Sequence, residues 1–263
     1  MPNIATSAQQ VVDQLDKVLA EKPQRLVAEP LPDTSVVLPG GFQTPHGIVT
    51  DAEVKELTGD DEEFISKSAL NQGKMLSAIL QRGVVSVGDQ PVTKTVLDDL
   101  LSGDRDTLLL GIRRATFGDE VLVHATCQHC GEKLEVTLSI RDDIPVKRLG
   151  EDGARAFTLD LRVGAVMVLL PTGAVQRQIT EALDKTGAEL KTILLRGCVN
   201  SINGMPVVSE AQVKKLGVHD RQKIVDVINE NNPGPRLSDV VANCVFCEQE
   251  MALPLSLVDL FRF

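Results

Sequence analysis

Thr126-Cys127-Gln128-His129-Cys130-Gly131-Glu132-Lys133-Leu134-Glu135-Val136-Thr137-Leu138 and Asn243-Cys244-Val245-Phe246-Cys247-Glu248-Gln249-Glu250-Met251 are the two stretches on which the fold turns. Each places a Cys-x-x-Cys pair between strand-like segments. Val121, Val123 and Ala125 lead into the first turn. Leu134, Val136, Leu138 and Ile140 lead out of it, with Lys133, Glu135, Thr137 and Ser139 on the opposite face. A period of two of this kind predicts a hairpin with one buried and one wet face. The second copy repeats the pattern with Met251, Leu253, Leu255 and Leu257, and Pro254, which cannot donate to a ladder, predicts an edge strand. Gly131 suits the tight turn behind a metal knuckle, whereas the second copy carries Glu248 at that place.

A Cys-x-x-Cys turn directs two sulfurs at one ion, and zinc takes four such ligands in a tetrahedron at about 2.3 Å. One turn supplies half a site. Cys127, Cys130, Cys244 and Cys247 together complete one, so the expectation is a single shared, structural zinc per chain in a zinc-ribbon-like joint. The binding energy of such an ion is folding energy, of order 10 kcal/mol in small peptides. A redox dithiol or two unconnected thiol pairs are the alternatives. Redox motifs open a helix after a strand, and strand-like residues flank both turns here. His129 and His124 lie in or beside the first turn and either could replace a thiolate, but with four cysteines available they are expected to face solvent. Cys198 has no partner in sequence and reads as a small buried hydrophobe.

Sliding the chain on itself shows why the two pairs belong together. Thr58-Gly59 matches Thr172-Gly173 and Arg82-Gly83 matches Arg196-Gly197 at an offset of 114; Asp104-Arg105 matches Asp220-Arg221 at 116, and Cys127 and Cys130 match Cys244 and Cys247 at 117. Ordered agreement of several features with so little drift predicts one unit used twice. The expected fold class is therefore α+β, with two similar modules, each mostly helical and ending in a Cys-bearing hairpin. The expected boundaries are 1–34 for an amino-terminal helix and tether, 35–145 for the first module, and 146–263 for the second with its apolar tail.

Between these anchors, Val11, Val12, Leu15, Val18 and Leu19 recur at helical spacing, followed by a Pro-spotted tether from Pro23 to Pro39. Residues 46–57 read as extended or mixed. Thr58 and Asp61 signal the start of a helix carrying Phe64, Ile65, Ala69, Leu76, Ile79 and Leu80, with Gly73 as a possible interruption. A short helix follows around Val96, and another opens at Asp104. The second module starts with alternating strands over 157–170 and continues with helices near 174–196, 209–216 and 218–230. The tail Leu257, Val258, Leu260, Phe261 and Phe263 can pack on the core or insert into a partner.

Composition narrows the function. With 43% hydrophobic residues over 263 positions the chain can bury a core. A net charge of −10 and the absence of basic runs interleaved with aromatics argue against a general nucleic-acid binder. There is no charged-then-apolar signal at the start and no run of about 20 apolar residues, so secretion and membrane insertion are not expected. Leu38, Pro39, Gly40 and Gly41 lack the Lys of a phosphate loop, no Ser/His/Asp arrangement is evident, and a closed four-thiolate site leaves zinc no catalytic position. The acidic run at 60–63 and Asp98-Asp99 read as solvated helix faces. No enzyme activity and no small-molecule substrate are expected.

Several strings resemble a known family. Val54-Lys55-Glu56-Leu57-Thr58-Gly59, the segment from Gly118 to Ile140 with its Gly-Asp-Glu and Thr-Cys-x-x-Cys-Gly, Leu170-Pro171-Thr172-Gly173, and the final Cys-x-x-Cys with Pro-Leu and Leu-Phe after it are similar to T-even-type phage baseplate hub proteins. The similarity runs from about Val36 onward. It implies a non-enzymatic component or assembly factor of the baseplate or hub of a contractile tail or related injection machine. The partners it implies are other baseplate, hub or tail tube proteins, met in a virion assembled in the host bacterial cytoplasm. A cytosolic tail-assembly chaperone and a zinc-ribbon regulator of nucleic acid remain as alternatives.

Overall fold

The computed structural model describes residues 33–263 apart from 69–70, 183, 254, 262–263 and the side chain of Gln72. The chain divides into the units Met1–Leu31 and Pro32–Phe263. The expected amino-terminal helix lies outside the described residues. About 39% of the structure is helix and 30% strand, a mixed fold.

The elements of the larger unit begin with β1 (Ser35–Thr44) and β2 (Gly47–Val54), followed by α1 (Gly59–Ser66) and α2 (Gln72–Gly83). Then come β3 (Val84–Val87), β4 (Gln90–Pro91), α3 (Lys94–Asp99), α4 (Ser102–Phe117), β5 (Glu120–Thr126) and β6 (Lys133–Ser139). After β7 (Val146–Lys147) a second series runs β8 (Ala156–Leu161), β9 (Gly164–Leu169), α5 (Gly173–Glu181) and α6 (Gly187–Cys198). It continues with β10 (Val199–Ile202), β11 (Met205–Pro206), α7 (Glu210–Lys214), α8 (Val218–Asn231), β12 (Gly234–Pro235), β13 (Val241–Asn243) and β14 (Glu250–Ala252). In both series two strands, two helices, two strands and two helices precede a hairpin. The sheets have matching orders, β1-β2-β3-β4 and β11-β10-β9-β8, while β12 pairs with β7.

The local reasons are legible. In β1 the alternate residues Val36 and Leu38 turn inward, and a register shift between Val37 and Phe42 re-aims the strand. At α1, Thr58 accepts from the Asp61 N–H while the Asp61 carboxylate accepts from the Thr58 N–H, a reciprocal capping box. The continuous helix expected after Thr58 is in fact two, because Asn71 caps a new start by accepting from the Lys74 N–H. The helix expected over 174–196 is likewise split, Thr186 and Glu189 forming a fresh capping box for α6. The first series is also less helical than expected. The stretch assigned to a tether up to Pro39 runs into β1, whose inward residues were obscured by the Pro39-Gly40-Gly41 run.

Apolar packing does not follow the expected border at 146. One core joins Leu38, Ile65, Ile79, Leu80, Leu108 and Ile112 of the first series to Val240, Met251, Leu253, Leu260 and Phe261 from the chain's end. A second, smaller core holds Val166, Val168, Leu195, Cys198, Ile224 and Ile228. Each fully buried Leu or Ile contributes about 1.5–3 kcal/mol, so the second hairpin is held chiefly by the first series. The tail resolves the same way: Phe261 is 2% exposed, and the Leu260 carbonyl accepts from Arg113 Nε at 2.9 Å. Phe261 is therefore core, and Leu260 is tied to α4.

Candidate metal centre

The β5–β6 hairpin pairs without interruption from Glu120↔Ser139 to Thr126↔Lys133. Its alternation is as expected: Leu134 and Leu138 are buried, and Lys133 and Glu135 are exposed. The β13–β14 hairpin is much shorter, from Val241↔Ala252 to Asn243↔Glu250. The two turns nevertheless share one backbone. The Cys127 N–H donates to the Glu132 carbonyl at 2.8 Å and the Gly131 N–H to the Cys127 carbonyl at 2.9 Å; the Cys244 N–H donates to Gln249 at 2.9 Å and Glu248 to Cys244 at 2.8 Å. Both fourth residues past the first Cys are left-handed, Gly131 at φ 77° and Glu248 at φ 60°. In each turn an N–H also points at the leading sulfur, from His129 to Cys127 Sγ and from Phe246 to Cys244 Sγ, both at 3.4 Å.

These turns bring all four sulfurs within 4.8 Å of one another, the one such group of ligands among the described residues. Cys127 faces Cys247 at 3.7 Å and Cys130 faces Cys244 at 3.7 Å. A disulfide needs about 2.05 Å. A tetrahedron of thiolates about 2.3 Å from zinc has edges near 3.8 Å, so the donor set fits a tetrahedral thiophilic ion. Cys127 and Cys244 are buried, Cys247 is partly covered, and Cys130 is exposed.

The electrostatics favour a cation. The backbone N–H groups of Cys130 and then His129 draw the Cys127 thiol down to about 6. At Cys130 the Glu132 N–H acts in the same direction, but burial and the three neighbouring sulfurs outweigh it and push the thiol up to about 12. Cys247 is raised too: the Gln249 N–H lowers it, while burial and the Cys127 and Cys244 sulfurs prevail. One thiolate thus forms easily and the next resists, because like charges crowd one site. A divalent ion removes that repulsion.

The histidines stand outside the sulfur cluster. His129 Nε2 lies 3.1 Å from the Glu250 carbonyl and so bridges the hairpins, while exposed His124 faces Glu135 across the ladder at 3.4 Å. Cys198 is fully buried, its thiol pushed up to about 12 by burial. Sequence reasoning missed the joint between the two series. There the Ser102 N–H donates to the Pro171 carbonyl at 2.9 Å, the Gly173 N–H to the Leu100 carbonyl at 2.7 Å, and buried Arg105 to the Gly173 carbonyl. The Leu170-Pro171-Thr172-Gly173 string was the available signal. No described helix is long and apolar enough to cross a membrane.

Among curated proteins and among solved structures, nothing matches. Residues 50–204 match the family described as T4 bacteriophage base plate protein. The matched stretch starts in β2, passes through Cys127 and Cys130, crosses the joint at Pro171, and ends in the β10–β11 turn, so it takes in strands of both four-stranded sheets and more than half of the 263 residues. The chain belongs to the T4 bacteriophage base plate protein family.

Proposed function

We propose that the chain is a non-enzymatic structural or assembly component of a contractile-tail baseplate or hub, working by contact with other baseplate, hub or tail tube proteins. Its two modules, 35–145 and 146–263, are fastened by one zinc held by Cys127, Cys130, Cys244 and Cys247. The observation that carries this reading is the convergence of sulfurs from turns more than a hundred residues apart in a chain of the baseplate family. An ion bound there joins two hairpins that are far apart in sequence and share one core, so it fastens the end of the second module to the first. A component that must transmit load or template a neighbour benefits from that rigidity. It acts in the virion baseplate after assembly in the host cytoplasm.

Elemental analysis of the purified chain should give about one zinc per chain, since four thiolates complete one tetrahedron. A value near two or near zero would reject the shared site. Mass spectrometry of purified particles should find the chain; absence from mature particles would favour a chaperone that leaves before completion.

A further inference from the structure

The two series meet through a contact that is not reciprocal. Helix α5 of the second series lies against α2, α3 and α4 of the first. Among the described residues its counterpart α1 makes no comparable contact with α6, α7 or α8. The offsets of 114 for α1/α5 and α2/α6, and of 116 for α3/α7 and α4/α8, identify what each side would offer. Gly173 is packed under the Leu97 carbonyl and Arg105, whereas its counterpart Gly59 meets none of the described residues within 4 Å. A Cβ at Gly73 would lie 2.5 Å from Thr180, whereas one at its counterpart Gly187 would meet none of the described residues within 4 Å. Ser102 is 7% exposed in the joint; Val218, at the same place in the second series, is 82% exposed. Among the described residues a plug and a socket of the kind already joined once inside the chain are thus both left open.

We propose that a second copy of this chain fills the socket: α1 of one copy seats on α6, α7 and α8 of the next, repeating head to tail the contact that α5 makes on α2, α3 and α4. The inference rests on the two-module reading. The socket is a groove of about 490 Å³ lined in part by Gly187, Lys191, Lys214, Val218 and Arg221. Charge favours this occupant. Within the chain, Arg177 of the plug grips Asp98 of the socket through bonds of 3.1 and 2.9 Å, and Gln176 donates to Asp106. At the open pair the same positions hold Glu63 and Lys214, and Glu62 and Gln222. Both members of the ion pair have exchanged sign, so the match is kept although neither residue type is. Among the described residues Lys214 forms an ion pair with Glu210 of its own exposed turn, a bond of little worth in water. The first-turn N–H groups of Gly59 and Val218 have no intrahelical acceptor; in the closed joint their counterparts, Gly173 and Ser102, donate across it. A heterologous contact of this kind continues beyond two copies, into a ring if the rotation closes.

Sedimentation of the full chain should show association rising with concentration. Glu63→Lys and Lys214→Glu should each weaken it about tenfold, and the chain carrying both should recover it, because the reversed charges face one another between copies. A photo-crosslinker at Val218 should join to residues 57–66 of another copy. Attachment within residues 1–31, attachment between two socket faces, or a monomer that forms no cross-link would each overturn the proposal. Zinc content measured on the same samples separates the two readings: a zinc-loaded chain that stays monomeric sinks this inference alone, and an associating chain without zinc sinks only the metal site.

Discussion

The two Cys-x-x-Cys turns have the same backbone and unequal support. The first crowns strands of seven residues and has Gly131 in its left-handed position; the second crowns strands of three and has Glu248 there. Yet the hydrogen bonds around Cys127 and Cys244 are the same, donor for donor. A knuckle is therefore specified by its thiol spacing and its own backbone bonds, and neither a long ladder nor a glycine is required to shape it. What differs is what holds it once formed. A two-stranded hairpin is marginal on its own, and the second, with three pairs, depends on the core of the first series and on the proposed ion.

Removing the ion is the strongest way to break that comparison. With zinc stripped by a chelator, amide protection should fall by about a hundredfold or more over 241–252 and by less than about tenfold over 120–139, since local opening follows local support. Equal losses in both hairpins would mean that the longer ladder gives no independence.

A like contrast of shared backbone and unlike chemistry occurs at the first helix of each series, where Asp61 and Val175 hold one buried place. Burial opposes ionisation of Asp61, but the Thr58 N–H, the Lys55 and Thr58 side chains and Arg82 outweigh it and hold the carboxyl well below the usual carboxylate range. A depressed folded value means stability that is present above about 3.9, the ordinary value for Asp, and lost as the pH falls below it. Asp61→Asn should cost about 1–3 kcal/mol at neutral pH and flatten the acid limb of the stability curve. The lower end is expected, because Lys55 and Arg82 are 46% and 38% exposed and water screens them. An unchanged acid limb would locate the acid sensitivity elsewhere.

The smallest effect sharpens the comparison at the turns themselves. Glu248→Gly should stabilise the zinc-loaded chain by about 0.5–1 kcal/mol, as glycine takes φ near +60° without the Cβ clash, and Gly131→Glu should cost about 1–2 kcal/mol. Denaturant midpoints at saturating zinc measure both. A Glu248→Gly chain no more stable than wild type would show that the exposed Glu248 side chain compensates for its backbone.

Much was legible because it is periodic or local. The alternation from Val121 to Ile140 marked the first hairpin, Thr58 marked a cap, and Cys198 read correctly as a buried hydrophobe. Errors arose where tertiary context decided. A run of apolar residues at helical spacing from Phe64 to Leu80 does not reveal that Asn71 starts a second helix, and β1 hides its inward residues behind Pro39, Gly40 and Gly41. The tail could have faced a partner or the core with the same composition.

The sequence by itself determined the knuckles, since a fixed spacing of two sulfurs and the backbone bonds of a tight turn are short-range properties. Only the tertiary structure decided that the two pairs face one another at 3.7 Å, that the last hairpin joins the core of the first series, and that Gly173 and Gly73 are packed at the joint while Gly59 and Gly187 meet no described residue. Those outcomes depend on which apolar faces find each other across more than a hundred residues, and no local pattern encodes that choice.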